Sequence, residues 1–202
     1  LLGKISKLGI TVLSRRGFTI GIADMDLTEE VGDEIKSVIQ KAEEEADKLI
    51  RSFYDGKLDP LPGRTLKETL ELRILEALNK ARNKSGDIAM KQVKDSTALL
   101  MARCGSRGNV LNIAQMTAVV GQQALRGRRI DRGYKGRTLP YFKLHDLSSR
   151  ARGFIKNNFK SGLTPNEFFF GAMTGRDALM DTALRTPKSG YLYRRLSNAM
   201  QD

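Results

Sequence analysis

The stretch LTPNEF, residues 163–168, opens the pattern that most restricts how this chain folds. Thr164 suits an N-cap, Pro165 suits the first helical position, and Glu167 completes a capping box. From Pro165 a helical periodicity runs to Gln201, about 37 residues. At the α-helical rise that is roughly 55 Å, longer than a small domain is wide. Such a helix has to cross something. Its first half is apolar nearly all round (Phe168, Phe169, Phe170, Met173, Leu179, Met180), which predicts a buried helix.

Further along, Gly171, Gly175, Ala178, Thr182, Thr186 and Gly190 fall in one stripe of small side chains. Beside it, Arg185, Lys188 and Arg195 form a basic face. The small-residue stripe alone fits close packing against another helix. With cations alongside, it fits a stacked base pair whose backbone runs next to it. Pro187 lies at the most basic point; it has no N–H to give the Ala183 carbonyl and biases Thr186 away from helical geometry. Gly190 eases distortion just beyond it. Residues 184–190, centred on Pro187 and Gly190, are therefore expected to act as a hinge where the helix meets nucleic acid.

Charge is unevenly placed. Residues 1–80 hold 13 Lys/Arg against 15 Asp/Glu, whereas residues 81–202 hold 22 against 8. This asymmetry points the C-terminal part at a polyanion, most often nucleic acid, with an acidic partner protein as the alternative. The single cysteine, Cys104, excludes an internal disulfide, and with the single histidine, His145, it leaves no Cys/His zinc site. No apolar run approaches the roughly 18 residues of a membrane span, so a cytoplasmic setting without a membrane partner is expected. The chain starts at Leu1 and not at Met, so a piece of a longer polypeptide, or a processed one, is expected. No hydrolase or transferase constellation and no Walker loop is present.

The remaining segments read as mainly α with a small β-hairpin. GITVLSRRGFTIGIADM (residues 9–25) is expected to be that hairpin. Asp24 and Asp26 resemble a metal pair, but Asp26 followed by Glu29 fits a helix N-cap better, and no metal site is assigned. A helix follows, with Val31, Ile35, Val38, Ala42, Ala46, Leu49 and Phe53 on one face, ending near Gly56. Thr65 with Glu68 opens the next, expected to stop at Gly86, and the two are expected to form an antiparallel pair. A shorter helix is expected over about Asp87 to Ala102. Asn109 is expected to cap a helix through VLNIAQMTAVVGQQAL, burying Ile113, Met116 and Val120. RGRRIDRGYKGR, with six basic residues and three glycines, is expected to lie on a surface or against an anion.

These residues resemble a known family, the largest subunit of multisubunit DNA-dependent RNA polymerases of archaeal or eukaryotic type. LTPNEFFFGAMTGRDALMDTALRTPKSGYLYRRL looks like the bridge helix that spans the active-site cleft. LNKARNKSG and GSRGNVLNIAQMTAVVGQQALRGRRI resemble the funnel lining the pore through which nucleotides enter, and RTLPYF and GFTIGIAD fit as well. The resemblance is dense from about Thr65 to Asp202. It implies a fragment of a larger multidomain subunit: a hairpin and pore-proximal segment at residues 1–26, funnel helices at 27–126, a basic loop and connector at 127–163, and the bridge helix at 164–202.

Roles carry over by position. Thr186 and Tyr191, with Pro187 between them, correspond to positions near the templating base. Arg185, Lys188, Arg194 and Arg195 would lie on the nucleic-acid side. Arg107, in GSRG, matches a basic position that reaches the triphosphate of the incoming nucleotide. Asn112, Gln115, Gln122 and Gln123 match the funnel–bridge junction. The implied partners are the other polymerase subunits, the DNA template and RNA–DNA hybrid, nucleoside triphosphates, and a transcript-cleavage factor at the funnel. The implied location is cytoplasmic, or nuclear in a eukaryote.

Two departures bear on activity. The family's catalytic motif of three aspartates, which holds magnesium in the intact enzyme, is absent, as is the trigger loop. No catalytic residue and no cofactor is therefore assigned to this chain, which is expected to be inactive alone. Pro187 stands where relatives commonly have a helix former. The alternative readings are a free-standing basic helical protein that binds nucleic acid, and a scaffold docking on an acidic partner.

Overall fold

A computed structural model describes residues 1–93 and 96–201. Six helices carry most of the chain: α1 (Leu2–Arg16), α2 (Glu29–Tyr54), α3 (Leu66–Gln92), α4 (Thr97–Arg103), α5 (Val110–Thr117) and α6 (Pro165–Ala199). Four two-residue strands, β1 (Gly121–Gln122), β2 (Ala124–Leu125), β3 (Arg128–Arg129) and β4 (Phe154–Ile155), form two antiparallel pairs, β1 with β4 and β2 with β3. Among the described residues no helix is long and apolar enough to cross a membrane.

The chain divides into two compact units. One comprises Leu1–Lys41, Lys80–Val120 and Lys156–Gly162; the other comprises Ala42–Asn79, Gly121–Ile155 and the residues from Leu163 onward.

In the first unit, Met25, Val93, Leu99 and Ile113 are buried together, with Leu27, Met90, Ala98 and Ala102 packed on them. The short helices here are capped as their sequences dictate. Ser96 accepts the Ala98 amide at 3.2 Å to start α4, and Asn109 Oδ1 accepts the Asn112 amide at 2.9 Å to start α5. The segment after β4 is tied back by the Phe159 and Lys160 amides, which donate to the Gln115 and Met116 carbonyls at 3.2 Å each.

Several expectations for this unit are overturned. The hairpin expected over residues 9–25 is replaced by α1 and a 3-10 turn at Ile22–Met25. Leu2, Ile5, Leu8 and Val12 recur every three or four residues, and that helical period outweighs the β-branched composition. A lone hairpin would bury no apolar face here, whereas a helix satisfies its backbone internally. No residue of α1 is buried. Asp26 is not the cap of α2, which begins at Glu29; Asp26 forms an ion pair with Lys160 instead, while Asp24 accepts the Gly21 amide at 2.9 Å.

Gly86 does not stop α3, which continues to Gln92. The glycine provides space: a Cβ built on it would sit 3.0 Å from the Ala114 methyl. The helix expected over 87–102 is thus split between the end of α3 and α4, and its residues Lys94 and Asp95 lie outside the described residues, as does Asp202 at the end of the expected bridge helix.

In the second unit, Leu70, Ile74 and Leu78 of α3 are buried, as are Ile130, Ile155 and Phe170. Phe170 of α6 stacks on Phe142 at 6.4 Å between ring centroids. Gly153 sits at φ 86°, a conformation that favours glycine, and a Cβ there would press on Ile130 Cδ1 at 2.8 Å. Thr65 and Glu68 form the expected capping box, the Thr65 amide donating at 3.1 Å and the Glu68 amide returning at 3.3 Å.

The helix expected to run to residue 125 ends at Thr117. Ile113 and Val120 are buried as expected, but Met116 is exposed. Gly121, at φ 88°, leads the chain out into β1. The β2–β3 hairpin turns through Arg126 and Gly127 at φ 50° and 81°, the positive pair a type I′ turn requires. The small hairpin therefore exists, but at residues 124–129. Its basic segment is also not wholly superficial, since Arg129 and Ile130 are buried.

Candidate nucleic-acid interface

The candidate interface lies on α6. The Thr164 amide and hydroxyl both donate to Glu167 Oε2, at 2.9 and 2.8 Å, and Pro165 takes the first helical position. Glu167 and Phe170 are buried, which anchors the helix at its N-terminal end. From there α6 runs 35 residues, about 52 Å at the standard rise. Burial of the first half holds only in part: Phe168, Leu179 and Met180 are exposed, at 67, 74 and 58%. The helix leans on the unit along one side as far as Asp181, with Gly171, Met173, Thr174 and Asp177 half-buried, and beyond that its side chains project outward.

Every residue from Thr182 to Met200 is exposed. This span brings Arg185, Thr186, Pro187, Lys188, Gly190, Tyr191, Arg194 and Arg195 onto one continuous helix. Pro187 does not break it, and nothing lies within 4 Å of a Cβ built on Gly175 or Gly190. Two threonine hydroxyls before the proline bond back to the helix carbonyls. Thr182 donates to the Ala178 carbonyl at 2.9 Å, and Thr186 to the Thr182 carbonyl at 2.8 Å. The Ala183 carbonyl still loses its usual amide donor, because a proline nitrogen carries no hydrogen.

Charge on this span is only lightly compensated. Arg185 Nε sits 2.8 Å from Asp181 Oδ1, an exposed i,i+4 pair of little energetic weight. Arg195 stands over the Tyr191 ring, 5.6 Å from its centroid. Among the described residues no carboxylate pairs with Lys188, Arg194 or Arg195. A column of cations, an aromatic ring and a strip with few side chains can follow a phosphate backbone and support a flat base.

The other expected site residues lie elsewhere. Arg107 is exposed in the loop between α4 and α5. Asn112 is exposed on α5 and Gln115 is half-buried there, both in the first unit. Gln122 and Gln123 belong to the second unit. Gln122 is buried, and its Nε2 donates to the Gln123 and Arg152 carbonyls at 2.8 Å each, so it braces the β1–β4 connection. Its Oε1 is enclosed and has no hydrogen-bond partner.

One strong pair was missed from the sequence. Arg129 forks onto Glu71, with Nε to Oε2 at 2.7 Å and Nη2 to Oε1 at 3.0 Å, and donates again to the Leu147 carbonyl at 3.2 Å. With the partners 58 positions apart, no local spacing announces it.

The pattern of RNA polymerase Rpb1, domain 4 matches residues 49–155, more than half of the chain. The chain belongs to the RNA polymerase Rpb1 family. The pattern of RNA polymerase Rpb1, domain 5 matches residues 162–202, which include all of α6. Over its whole length the chain is 50% identical to the DNA-directed RNA polymerase subunit Rpo1N of Thermococcus celer, covering 22% of that protein. It is 48% identical to the Rpo1N subunit of Methanothermobacter thermautotrophicus, covering 23% of it. For Methanocaldococcus jannaschii the identity is 48% and the coverage 15%. The chain thus spans about a quarter or less of these relatives' length. The resemblance to the archaeal largest subunit holds along the whole chain.

Proposed function

We propose that this chain is part of a DNA-directed RNA polymerase, in which residues 27–126 line the funnel through which nucleotides reach the catalytic centre and α6 is the bridge helix. Its work there is to support the templating base and to accompany translocation. The observation that carries this reading is the bare half of α6. Nineteen residues in a row, Thr182 to Met200, are exposed on one helix, with Arg185, Lys188, Arg194 and Arg195 among them. Helices of this length draw most of their stability from packing, so this half is built to be covered from outside the chain.

In this reading Tyr191 and Thr186 lie beside the templating base while the cations follow the backbone phosphates. Arg107 reaches the triphosphate of the incoming nucleotide, and Asn112, Gln115, Gln122 and Gln123 form the funnel–bridge junction. Pro187 and Gly190 supply a hinge that flexes as the template advances. Magnesium chemistry joins the nucleotides in the intact enzyme. It belongs to residues outside this chain, which alone has no nucleotidyl-transfer activity. The partners are the other subunits, the template and hybrid, nucleoside triphosphates, and a transcript-cleavage factor at the funnel. The setting is cytoplasmic.

The test uses the assembled polymerase with a photo-crosslinking amino acid at Tyr191, halted at a defined template position. The expected product is a crosslink to the template base in the active register, moving by one nucleotide when the complex is advanced by one. Absent or register-independent crosslinks would overturn the reading. So would tight, sequence-specific DNA binding by the isolated chain, which belongs to a free-standing binder with a steep salt dependence.

A further inference from the structure

A cavity of about 850 Å³ opens on the second unit, and none of the residues assigned above to nucleic acid lines it. Its apolar surface comes from the half-buried Phe53, Leu72, Leu75 and Leu147. Around this surface stand Arg64, Lys67, Arg126 and Arg128, all exposed, with Arg152 half-buried among them. Three carboxylates, Glu68, Glu71 and Asp131, share the lining, so cations are in excess even though Arg129 is spent on Glu71.

Two of these cations are already paired with carboxylates. Arg128 lies 3.9 Å from Glu68, and Arg126 lies 3.6 Å from Asp177. Arg152 is oriented by its Nε, which donates to the Asp146 carbonyl at 2.8 Å. Among the described residues Arg64, Lys67 and Arg152 form no ion pair. They come from the loop before α3, from its first turn, and from the 3-10 turn at Arg150–Arg152.

This layout discriminates between anions. A polyphosphate needs several unopposed donors converging on one point, and here Glu68, Glu71 and Asp131 share the lining with the cations. An extended polypeptide presents carboxylates singly, a few ångströms apart, with apolar side chains between them. That mixture matches a lining in which cations, carboxylates and apolar side chains occur together. We infer that this cavity is the docking site for an acidic, extended segment of another polypeptide. Asp and Glu side chains of that segment meet Arg64, Lys67 and Arg152, and a large apolar side chain rests on the half-buried Phe53, Leu72 and Leu75. The inference holds whether or not α6 faces nucleic acid.

The test places p-benzoylphenylalanine at Tyr54, an exposed lining residue, in the full-length protein carrying this chain and assembled with its partners. Tyr134, 55% exposed and outside the lining, is the control position. The expected product is a crosslinked peptide rich in Asp and Glu with at least one large apolar residue, absent from the control. Two exposed charge reversals, Arg64→Glu with Lys67→Glu, should lower its yield about tenfold. Raising salt should lower the wild-type yield as well, and this second readout decides if the reversed protein does not assemble. The inference is overturned by no product above control, by a crosslink to nucleic acid or to a peptide without acidic residues, or by a salt-independent yield.

Discussion

Gly86 of α3 faces Ala114 of α5 so closely that a Cβ on the glycine would sit 3.0 Å from the alanine methyl. The two helices approach there because one side chain is missing. Replacing Gly86 with Val should destabilise the first unit by about 1–3 kcal/mol through overpacking. The exchange Gly86→Ala with Ala114→Gly moves the missing methyl to the other helix and should return stability to near wild type. Equilibrium unfolding of the two single variants and the double variant gives the coupling; simple additivity would show that the contact does not set the spacing.

The fork between Arg129 and Glu71 predicts an unequal response at its two ends. The Arg129 side chain is 1% exposed and that of Glu71 is 32% exposed. Glu71→Ala leaves a buried guanidinium with only the Leu147 carbonyl, and should destabilise by about 2–4 kcal/mol. Glu71→Gln keeps one acceptor and should lose about half as much. Thermal melts that rank Gln below Ala would contradict this account.

Pro187→Ala should tighten α6. The substitution restores an amide for the Ala183 carbonyl in an exposed helix interior, a change of about 3 kcal/mol in local helix stability. Hydrogen exchange over residues 182–200 should slow accordingly. In the assembled polymerase the same variant should alter elongation rate if residues 184–190 flex during translocation; unchanged exchange and unchanged elongation would remove the hinge.

The first turn of α3 should loosen in acid. The Thr65 amide and hydroxyl bonded to Glu68 hold its carboxyl below the ordinary range. A depressed folded pKa means the stabilisation is complete above the unfolded value and is lost as pH falls through the folded one. Exchange protection of the Leu66–Thr69 amides should therefore fall with pH in the acid range. Glu68→Gln, which can still accept the capping bond, should flatten that dependence.

The candidate interface was largely legible in the sequence because it is a property of one helix. The cap at Thr164, the apolar anchor at Phe170 and the order of Arg185, Lys188, Tyr191 and Arg195 all follow from local spacing. The N-terminal segment was misread because β-branched residues at Ile10–Val12 were weighed above the three- and four-residue recurrence of Leu2, Ile5, Leu8 and Val12. Gly86 was misread as a stop, since a glycine that admits a neighbour and one that ends a helix look alike without that neighbour.

What the sequence determined by itself was therefore periodicity, capping and charge: where α3, α5 and α6 begin, and which half of the chain is basic. These depend on residues within one or two turns of each other. Tertiary structure alone decided where α5 ends, which arginine is buried and which cations share a cavity. Arg129 and Glu71 are ordinary surface residues until the chain between them folds back, and only then does desolvation make each the necessary partner of the other.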